Sequence, residues 1–214
     1  MDFSLTEEQQ LLKDSVEKFV ASQYNPQQRE ALLHADAAFS ADHWKTFAEL
    51  GWLTIPFAEE QGGFGGGIVE SAIVMEAFGS ALVLEPFVDT VLLCGQLLAR
   101  SDNAALCEQY LNPLMAGELH GGLAWQERRT RNHLNHCSTK AKTDGKDFFI
   151  SGEKVLVSNA DADLLVVTAR LSGETDAVDG IALIAVPLDC EGVRTQRLRL
   201  MDGREALNVV FDNC

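Results

Sequence analysis

The hydrophobic pattern changes its period near residue 119, and this change limits the possible folds more than any other feature of the sequence. Before it, apolar residues recur at the three- and four-residue spacing of helices; after it, they form short runs or alternate, as in strands. Helices followed by strands predict an α+β chain in which the two kinds of element are segregated. We therefore expect an N-terminal all-α domain over residues 1–118 and a small antiparallel β-barrel or β-sandwich domain over residues 119–214.

Local signals predict where the helices lie. Thr6–Gln9 has the sequence of a capping box, so the first helix is expected to begin there. Another helix is predicted to start at Ser40 or Asp42 and to stop at Gly51. The remaining helical candidates are three stretches: Ile68–Leu84, Thr90–Ala99 and Ala104–Met115.

The second half contains a predicted hairpin. Its two strands, Phe148–Ile150 and Glu153–Val157, are separated by Ser151 and Gly152, a pair that suits a two-residue turn. The other strand candidates are apolar or alternating: Leu164–Ala169, Ile181–Val186 and the segment around Leu207, Val209 and Phe211.

The charge of the chain is negative and unevenly placed. The net charge is −15; residues 1–119 carry 18 acids and five bases, a net of −13, and the rest carries 14 acids and 12 bases, a net of −2. The acidic first half repels phosphate, so we expect neither nucleic acid nor an anionic membrane as a partner, and the second half is the better place for a phosphate-bearing ligand. No apolar run reaches membrane-spanning length and no signal peptide is visible, so a cytoplasmic protein without membrane insertion is expected.

Three local motifs were considered as sites. Gly62–Gly67 lacks the Lys-Ser/Thr of a phosphate loop and follows a helix, which favours a flexible interhelical loop. His133, His136 and Cys137 lack further ligands at a recognised spacing, so no metal site is predicted. Arg128–Arg131 contains three arginines, which suit a solvated loop and an anion contact equally. The residues alone therefore predict no catalytic chemistry.

Several motifs together resemble the acyl-CoA dehydrogenase family over essentially the whole chain. They are Leu5–Gln9, Phe47–Leu53, Glu59–Gly63, Val74–Glu76, Tyr110–Leu111, Gly117–Glu118, Ile150–Lys154, Ser158–Asn159, Met201–Arg204 and Val210–Asn213. Leu82–Phe87 also resembles the small-subunit branch of pimeloyl-CoA dehydrogenases.

The resemblance implies FAD as cofactor and an acyl-CoA thioester as substrate. In the family a glutamate removes the α-proton while a hydride leaves the β-carbon for the flavin, and the electrons pass to an electron-transfer acceptor. That glutamate lies in a C-terminal four-helix domain, which we expect to be missing from this chain. No catalytic residue is therefore assigned, and this chain is expected to be a truncated, inactive portion of a subunit that forms homo- or hetero-oligomers with other acyl-CoA dehydrogenase subunits.

The resemblance also implies a set of flavin-binding positions. The family sequence Thr-Glu-Pro-Gly-Ala-Gly-Ser-Asp aligns with Gln126–His133, where only Glu127 is retained; the serine falls on Asn132 and the preceding glycine on Arg131. The family's Trp-Ile-Thr/Ser becomes Leu156–Ser158. The expected cofactor-binding residues are Trp125, Gln126, Arg131, Asn132, Leu156 and Ser158. Because several of them depart from the family pattern, a second hypothesis is a non-catalytic partner subunit with a degenerate flavin site.

Overall fold

The computed structural model describes residues 4–35, 37–101 and 103–214, and the chain divides into two compact units. The first consists of the residues up to Phe87 with Met115–Gly117, and the second of Val88–Leu114 and Glu118–Cys214. All described helices precede all described strands, so the predicted α+β class is confirmed.

The helices occupy most of the described chain before residue 116. Their bounds are α1 Glu7–Gln23, α2 Pro26–Leu33, α3 Ala41–Glu49, α4 Ile68–Ala81, α5 Gln96–Ala99, α6 Ala104–Leu106 and α7 Asn112–Met115. Short 3₁₀-helices cover Trp52–Thr54 and Glu59–Gln61, and π-helical segments cover Val88–Gly95 and Cys107–Leu111.

The helix starts follow from side-chain caps. The capping box predicted at the first helix is confirmed, since the Gln9 amide donates to Thr6 Oγ1 at 3.2 Å and the Thr6 amide donates to Gln9 Oε1 at 3.0 Å. Ser40 caps α3 by accepting from the His43 amide, again as predicted. The helix α2 was not predicted, although Asn25 opens it with a second capping box.

The core of the first unit is a cluster of aromatic rings. The ring of Phe47 is fully buried and stacks on Phe78 with 4.9 Å between centroids, while Trp52 and Phe19 pack against it at 5.2 Å. Large aromatic side chains contribute most to the burial of apolar surface in a small core. This cluster therefore holds α1, α3 and α4 together.

The Gly62–Gly67 segment connects two helices, as predicted, but its backbone is held in place. The amides of Gly63, Gly65 and Gly66 donate to the carbonyl oxygens of Ala58, Phe57 and Ile55 at 2.8–2.9 Å. A Cβ at Gly63 would lie 2.2 Å from the Phe57 carbonyl oxygen. These glycines allow one segment of backbone to lie directly against another, so the expectation of a flexible loop was wrong.

The described strands form one seven-stranded sheet. They are β1 Gly121–Ala124, β2 Lys140–Thr143, β3 Phe148–Val157, β4 Leu164–Arg170, β5 Ile181–Pro187, β6 Val193–Arg199 and β7 Glu205–Asp212. The order is β1-β4-β2-β3-β7-β6, and β5 pairs with β4. The core of this unit packs against one face of the sheet and includes Ile150, Val167, Val209 and Phe211.

The pairing directions depart from a purely antiparallel domain. The pairs β2–β3, β3–β7, β4–β5 and β6–β7 are antiparallel, as expected, but β1 and β2 both run parallel to β4. Parallel neighbours need a long connection, and the β2–β3 hairpin together with the loop before it provides one between β1 and β4.

The predicted turn at Ser151 and Gly152 was wrong. The strand β3 runs through both residues, and its hairpin partner is β2, with Thr143 opposite Phe148 across a turn that contains Gly145. Gly152 is needed for another reason: a Cβ there would lie 2.6 Å from Thr139 Oγ1, and its φ is 154°. The glycine marks a close approach within a strand rather than a turn.

Candidate functional site

Three of the predicted cofactor-binding residues lie side by side at the end of β1. Trp125 and Gln126 follow this strand, and the Gln126 carbonyl oxygen accepts a 2.9 Å hydrogen bond from the Val155 amide. The next residue, Leu156, has a φ of 54° and a side chain that is 49% exposed. We call Trp125, Gln126, Val155 and Leu156 the Gln126–Leu156 edge; it presents an open apolar side chain beside a polar backbone.

Ser158 lies at the end of β3 and is bonded to a buried acid. Its hydroxyl donates to Asp89 Oδ1 at 2.6 Å, and Asp89 is 7% exposed. Burial raises the pKa of the Asp89 carboxyl, and the hydrogen bond from Ser158 opposes part of that rise. The Ser158 hydroxyl uses its one proton in the bond to Asp89. Its oxygen has two lone pairs, so it can still accept a hydrogen bond from another group.

The π-helix Val88–Gly95 is joined to β1 by a further set of bonds. Thr90 Oγ1 donates to the Gly121 carbonyl oxygen at 3.1 Å, and Asn159 Nδ2 donates to the same oxygen at 3.0 Å. All three residues are buried. Segments with π-helical geometry are frequent near functional sites, and this one fixes the positions of Asp89 and Ser158.

Glu127 is the anchor of the loop that follows. Its carboxylate accepts hydrogen bonds from Lys154 Nζ at 2.8 Å, from the Thr139 amide at 2.9 Å, and from both the amide and the hydroxyl of Ser138. Burial alone would raise the pKa of Glu127, but these donors outweigh it and hold the pKa at about 2. Lys154 Nζ also donates to Thr168 Oγ1 at 2.8 Å, which satisfies a fully buried ammonium. We call these groups the Glu127 anchor.

The residues after Glu127 form an exposed basic turn, Arg128–His133. Arg131 and Asn132 have φ values of 43° and 67° and are exposed, as are Arg128 and Arg129. Arg128 pairs with Glu153 at 2.9 Å. In the described residues, no hydrogen bond or ion pair connects Arg131 or Asn132 to Gln126, Leu156 or Ser158. Gln126 and Leu156 therefore lie near each other, and no such link to the basic turn is present among the described residues.

Arg170, at the end of β4, organises the segment that follows the basic turn. It is 4% exposed, and its five N–H groups donate to the carbonyl oxygens of Asn135, Cys137, Thr175, Ala177 and Asp179 at 2.7–3.5 Å. A guanidinium has five donors, so all of them are used. Two surface segments are thus fixed to one side chain.

The first unit has a separate cleft. Its volume is about 620 Å³, and its lining includes Leu11, Leu12, Phe64 and the acidic side chains of Glu8, Glu59 and Glu70. Gln9 Nε2 donates to Glu70 at 2.7 Å, and this bond is the main cause of a lowered pKa for Glu70. None of the sequence motifs predicted this cleft.

Two further properties concern the described part of the chain. It contains no group of three or more His, Cys, Asp or Glu residues able to hold a metal ion; His136 instead pairs with Asp176 at 2.6 Å. None of the helices that the structure describes is both long and apolar enough to cross a bilayer.

Family models match almost the whole chain. Residues 6–118 match the model described as the acyl-CoA dehydrogenase N-terminal domain, and residues 122–214 match the acyl-CoA dehydrogenase middle domain. The chain belongs to the acyl-CoA dehydrogenase family. The resemblance seen in the sequence motifs is thereby confirmed, whereas the pimeloyl-CoA branch stays a prediction.

Individual acyl-CoA dehydrogenases are similar over most of this chain. A probable acyl-CoA dehydrogenase of Bacillus subtilis, YngJ, is 30% identical over 90% of the chain and 51% of its own length. The mitochondrial isovaleryl-CoA dehydrogenase of Pongo abelii is 30% identical over 98% of the chain and 51% of its own length. A glutaryl-coenzyme A dehydrogenase in complex with glutaryl-CoA has a TM-score of 0.88 at 24% identity, covering 100% of this chain and 55% of its own. The chain thus spans about half the length of the relatives that it matches.

The sequence motifs did not point to two well-connected residues, Asp89 in the part that matches the N-terminal domain and Arg170 in the part that matches the middle domain. Asp89 lies 69 residues from its partner Ser158, so no local pattern could pair them. A weak signal existed, because Asp89 and Arg170 are single charged residues at the ends of apolar stretches. A charged side chain in such a place is buried only when it has hydrogen-bond or ion-pair partners, so each of the two predicts a partner nearby.

Proposed function

We propose that this chain is the N-terminal and middle part of an FAD-dependent acyl-CoA dehydrogenase subunit that oxidises the Cα–Cβ bond of an acyl-CoA thioester. The observation that supports this most directly is the Gln126–Leu156 edge, where two of the expected cofactor-binding positions meet although 30 positions separate them in the chain. From the family to which the chain belongs, the proposal infers the function of the complete gene product.

The residues present suit a flavin chemically. The half-exposed Leu156 offers an apolar surface for a planar ring, and the Ser158 oxygen is available as an acceptor. The side chains of Arg129 and Arg131 have no ion-pair partner among the described residues, and exposed guanidinium groups suit a pyrophosphate. In this proposal Trp125, Gln126, Leu156 and Ser158 hold the ring portion of FAD, and Arg131 and Asn132 hold its charged portion.

The division of labour follows from these contacts. FAD, when bound, supplies the two-electron acceptor for the hydride. The chain's own residues orient it: the Glu127 anchor fixes the loop on one side of the edge, and Asp89 fixes the Ser158 hydroxyl on the other. None of the described residues is assigned as the base that removes the α-proton, so we propose that the 214-residue chain alone does not turn over.

The substrate and partners are proposed only by class. We propose a medium-chain, dicarboxylic or bulky acyl-CoA, an electron-transfer acceptor for the reduced enzyme, and a homo- or hetero-oligomer of acyl-CoA dehydrogenase subunits. The complete gene product, purified alone, should be yellow and should reduce an artificial electron acceptor when given an acyl-CoA from one of these classes. A colourless preparation that does not bind added FAD would contradict the proposal. Turnover by these 214 residues alone would show that the inactive-fragment part is wrong.

The second candidate is a non-catalytic partner subunit of a heteromeric acyl-CoA dehydrogenase. The basic turn favours it, because bulky arginines stand where the family has glycines. Under this hypothesis, co-expression with a neighbouring dehydrogenase gene yields a stable mixed oligomer in which only the other subunit binds FAD. A homo-oligomer with one FAD per subunit and its own activity would exclude it.

A further inference from the structure

Two cysteines, Cys190 and Cys214, lie close together just beyond the β6–β7 ladder. In this ladder Val193 lies opposite Phe211, and the bond from the Asp212 amide to the Gly192 carbonyl oxygen, 2.9 Å long, continues the same register. The register ends there, because Cys190 opens a tight turn in which its carbonyl oxygen accepts from the Val193 amide at 3.1 Å. The Cys190 side chain lies within hydrogen-bonding reach of the Cys214 thiol.

The surroundings bring the two thiols closer. Both cysteines are half-buried and pack against the core of the sheet, and Cys214 is fixed by a pair of backbone hydrogen bonds with Ile150, 2.8 and 3.1 Å long. A Cβ added at Gly192 would lie only 3.3 Å from the Cys214 Cβ, so the chain next to Cys190 passes in contact with Cys214. Cys190 itself lies in the turn before β6, where its amide donates to the Pro187 carbonyl oxygen at 3.2 Å.

We propose that Cys190 and Cys214 form an oxidisable dithiol that closes to an intramolecular disulfide when the protein meets hydrogen peroxide. A disulfide requires Cβ atoms about 3.5–4.5 Å apart, and two side chains already within hydrogen-bonding reach of each other need only a small adjustment to meet this spacing. The bond would tie the turn before β6 to the end of β7.

The chemistry balances with peroxide as the oxidant. The Cys190 thiolate attacks one peroxide oxygen, the O–O bond breaks, and Cys190 becomes a sulfenic acid as the first water leaves. The Cys214 sulfur then attacks the Cys190 sulfur, the S–O bond breaks and a second water leaves. Two thiols and one peroxide thus give one disulfide and two waters.

The order of the two steps follows from the environment of Cys214. Burial, and then the neighbouring Cys190 thiol, raise the pKa of Cys214. A thiol with a raised pKa is a poor first nucleophile at neutral pH, so Cys214 acts second. Closure should therefore become faster as the pH is raised.

Peptide mapping tests the proposal directly. Arg194, Arg197, Arg199 and Arg204 lie between the two cysteines, so trypsin separates the peptide Leu171–Arg194 from Glu205–Cys214 unless a disulfide joins them. After brief treatment of the folded chain with hydrogen peroxide, we expect a loss of about 2 Da in the intact mass and a joined peptide that dithiothreitol separates.

Three variants serve as controls. Cys190→Ser and Cys214→Ser should each abolish the joined peptide, while Cys107→Ser, which replaces another half-buried thiol, should leave it intact. The joined peptide is sought first in the wild-type chain. A variant that fails to fold therefore does not affect the main result. Separate sulfinic acids at Cys190 and Cys214, a disulfide between two chains, a pairing with another cysteine, or unchanged thiols would each overturn the proposal.

Discussion

The Glu127 anchor and the basic turn are neighbours in sequence but differ in almost every physical respect. Glu127 is buried, carries an ammonium partner and accepts further hydrogen bonds from its own loop. Arg131, four residues later, is exposed, and none of the described residues forms an ion pair with it. The one position of Gln126–His133 that matches the family pattern is the one whose side chain holds the loop in place. Positions whose side chains face solvent can change without unfolding the domain, and a ligand or partner contact is altered there most easily.

The largest expected effect comes from breaking the anchor. Lys154→Met leaves the Glu127 carboxylate buried without its cation, and losing one member of a buried ion pair costs about 3–5 kcal/mol of the free energy of unfolding. Urea denaturation measures this loss. The matched control is Lys142→Met, which replaces an exposed lysine of β2 and should change stability by less than about 0.5 kcal/mol. Equal stabilities for the two variants would mean that the buried pair is not an anchor.

Acid should weaken the same anchor. The folded pKa of Glu127, about 2, lies below the ordinary 4.5, so its contribution is present above pH 4.5 and is lost as the pH falls towards 2. The difference between these two pKa values corresponds to about 3 kcal/mol of the free energy of unfolding. The stability advantage of the wild type over Glu127→Gln should therefore shrink in this window. The control is Glu153→Gln, at the exposed pair with Arg128, whose free energy of unfolding should change with pH as that of the wild type does. If the Glu127→Gln variant also followed the wild type across this pH range, the lowered pKa of Glu127 would be contradicted.

A smaller effect is expected in the basic turn, and on binding rather than stability. If Arg131 contacts the pyrophosphate of FAD, Arg131→Gln removes one charge-assisted hydrogen bond and weakens FAD binding about tenfold, with no change in the urea midpoint. Titration of the apoprotein of the complete gene product with FAD measures this. Arg194→Gln, at an exposed arginine of β6, is the control. Unchanged affinity in the turn variant would favour the partner-subunit hypothesis for this segment.

The smallest expected effect restores an aromatic side chain to the edge. Leu156 is half-exposed, so Leu156→Trp adds ring surface without disturbing the core. An aromatic contact contributes about 1 kcal/mol, which should tighten FAD binding about fivefold. The same titration measures it, and Leu183→Trp on the exposed face of β5 is the control. Weaker binding would show that the ring does not rest against Leu156.

The sequence predicted the fold where local rules decide and failed where distant contacts decide. The capping box at Thr6 and the cap at Ser40 are local, and both were found. Gly152 was assigned to a turn because its true constraint, the approach of Thr139, comes from another strand. The strand β6 was missed because most of its residues are exposed on both faces, so it shows no apolar alternation.

The candidate site was predictable only in part for the same reason. The resemblance supplied Gln126 and Leu156, and a backbone bond from the Val155 amide to the Gln126 carbonyl oxygen places them near each other. It could not supply Asp89, because the acid that orients Ser158 is not part of any motif used. Nor could it show that, among the described residues, no hydrogen bond or ion pair connects Arg131 or Asn132 to Gln126, Leu156 or Ser158.

The five carbonyl oxygens around Arg170 affect how the 127–139 loop unfolds in acid. An arginine side chain does not lose its charge in proteins, and carbonyl oxygens do not titrate. The segments that Arg170 fastens should therefore stay attached in acid that has already neutralised Glu127. Two fastenings of different kinds thus hold the 127–139 loop, one released by protons and one not. Acid should free Ser138 and Thr139 from Glu127, while Asn135 and Cys137 stay attached to Arg170.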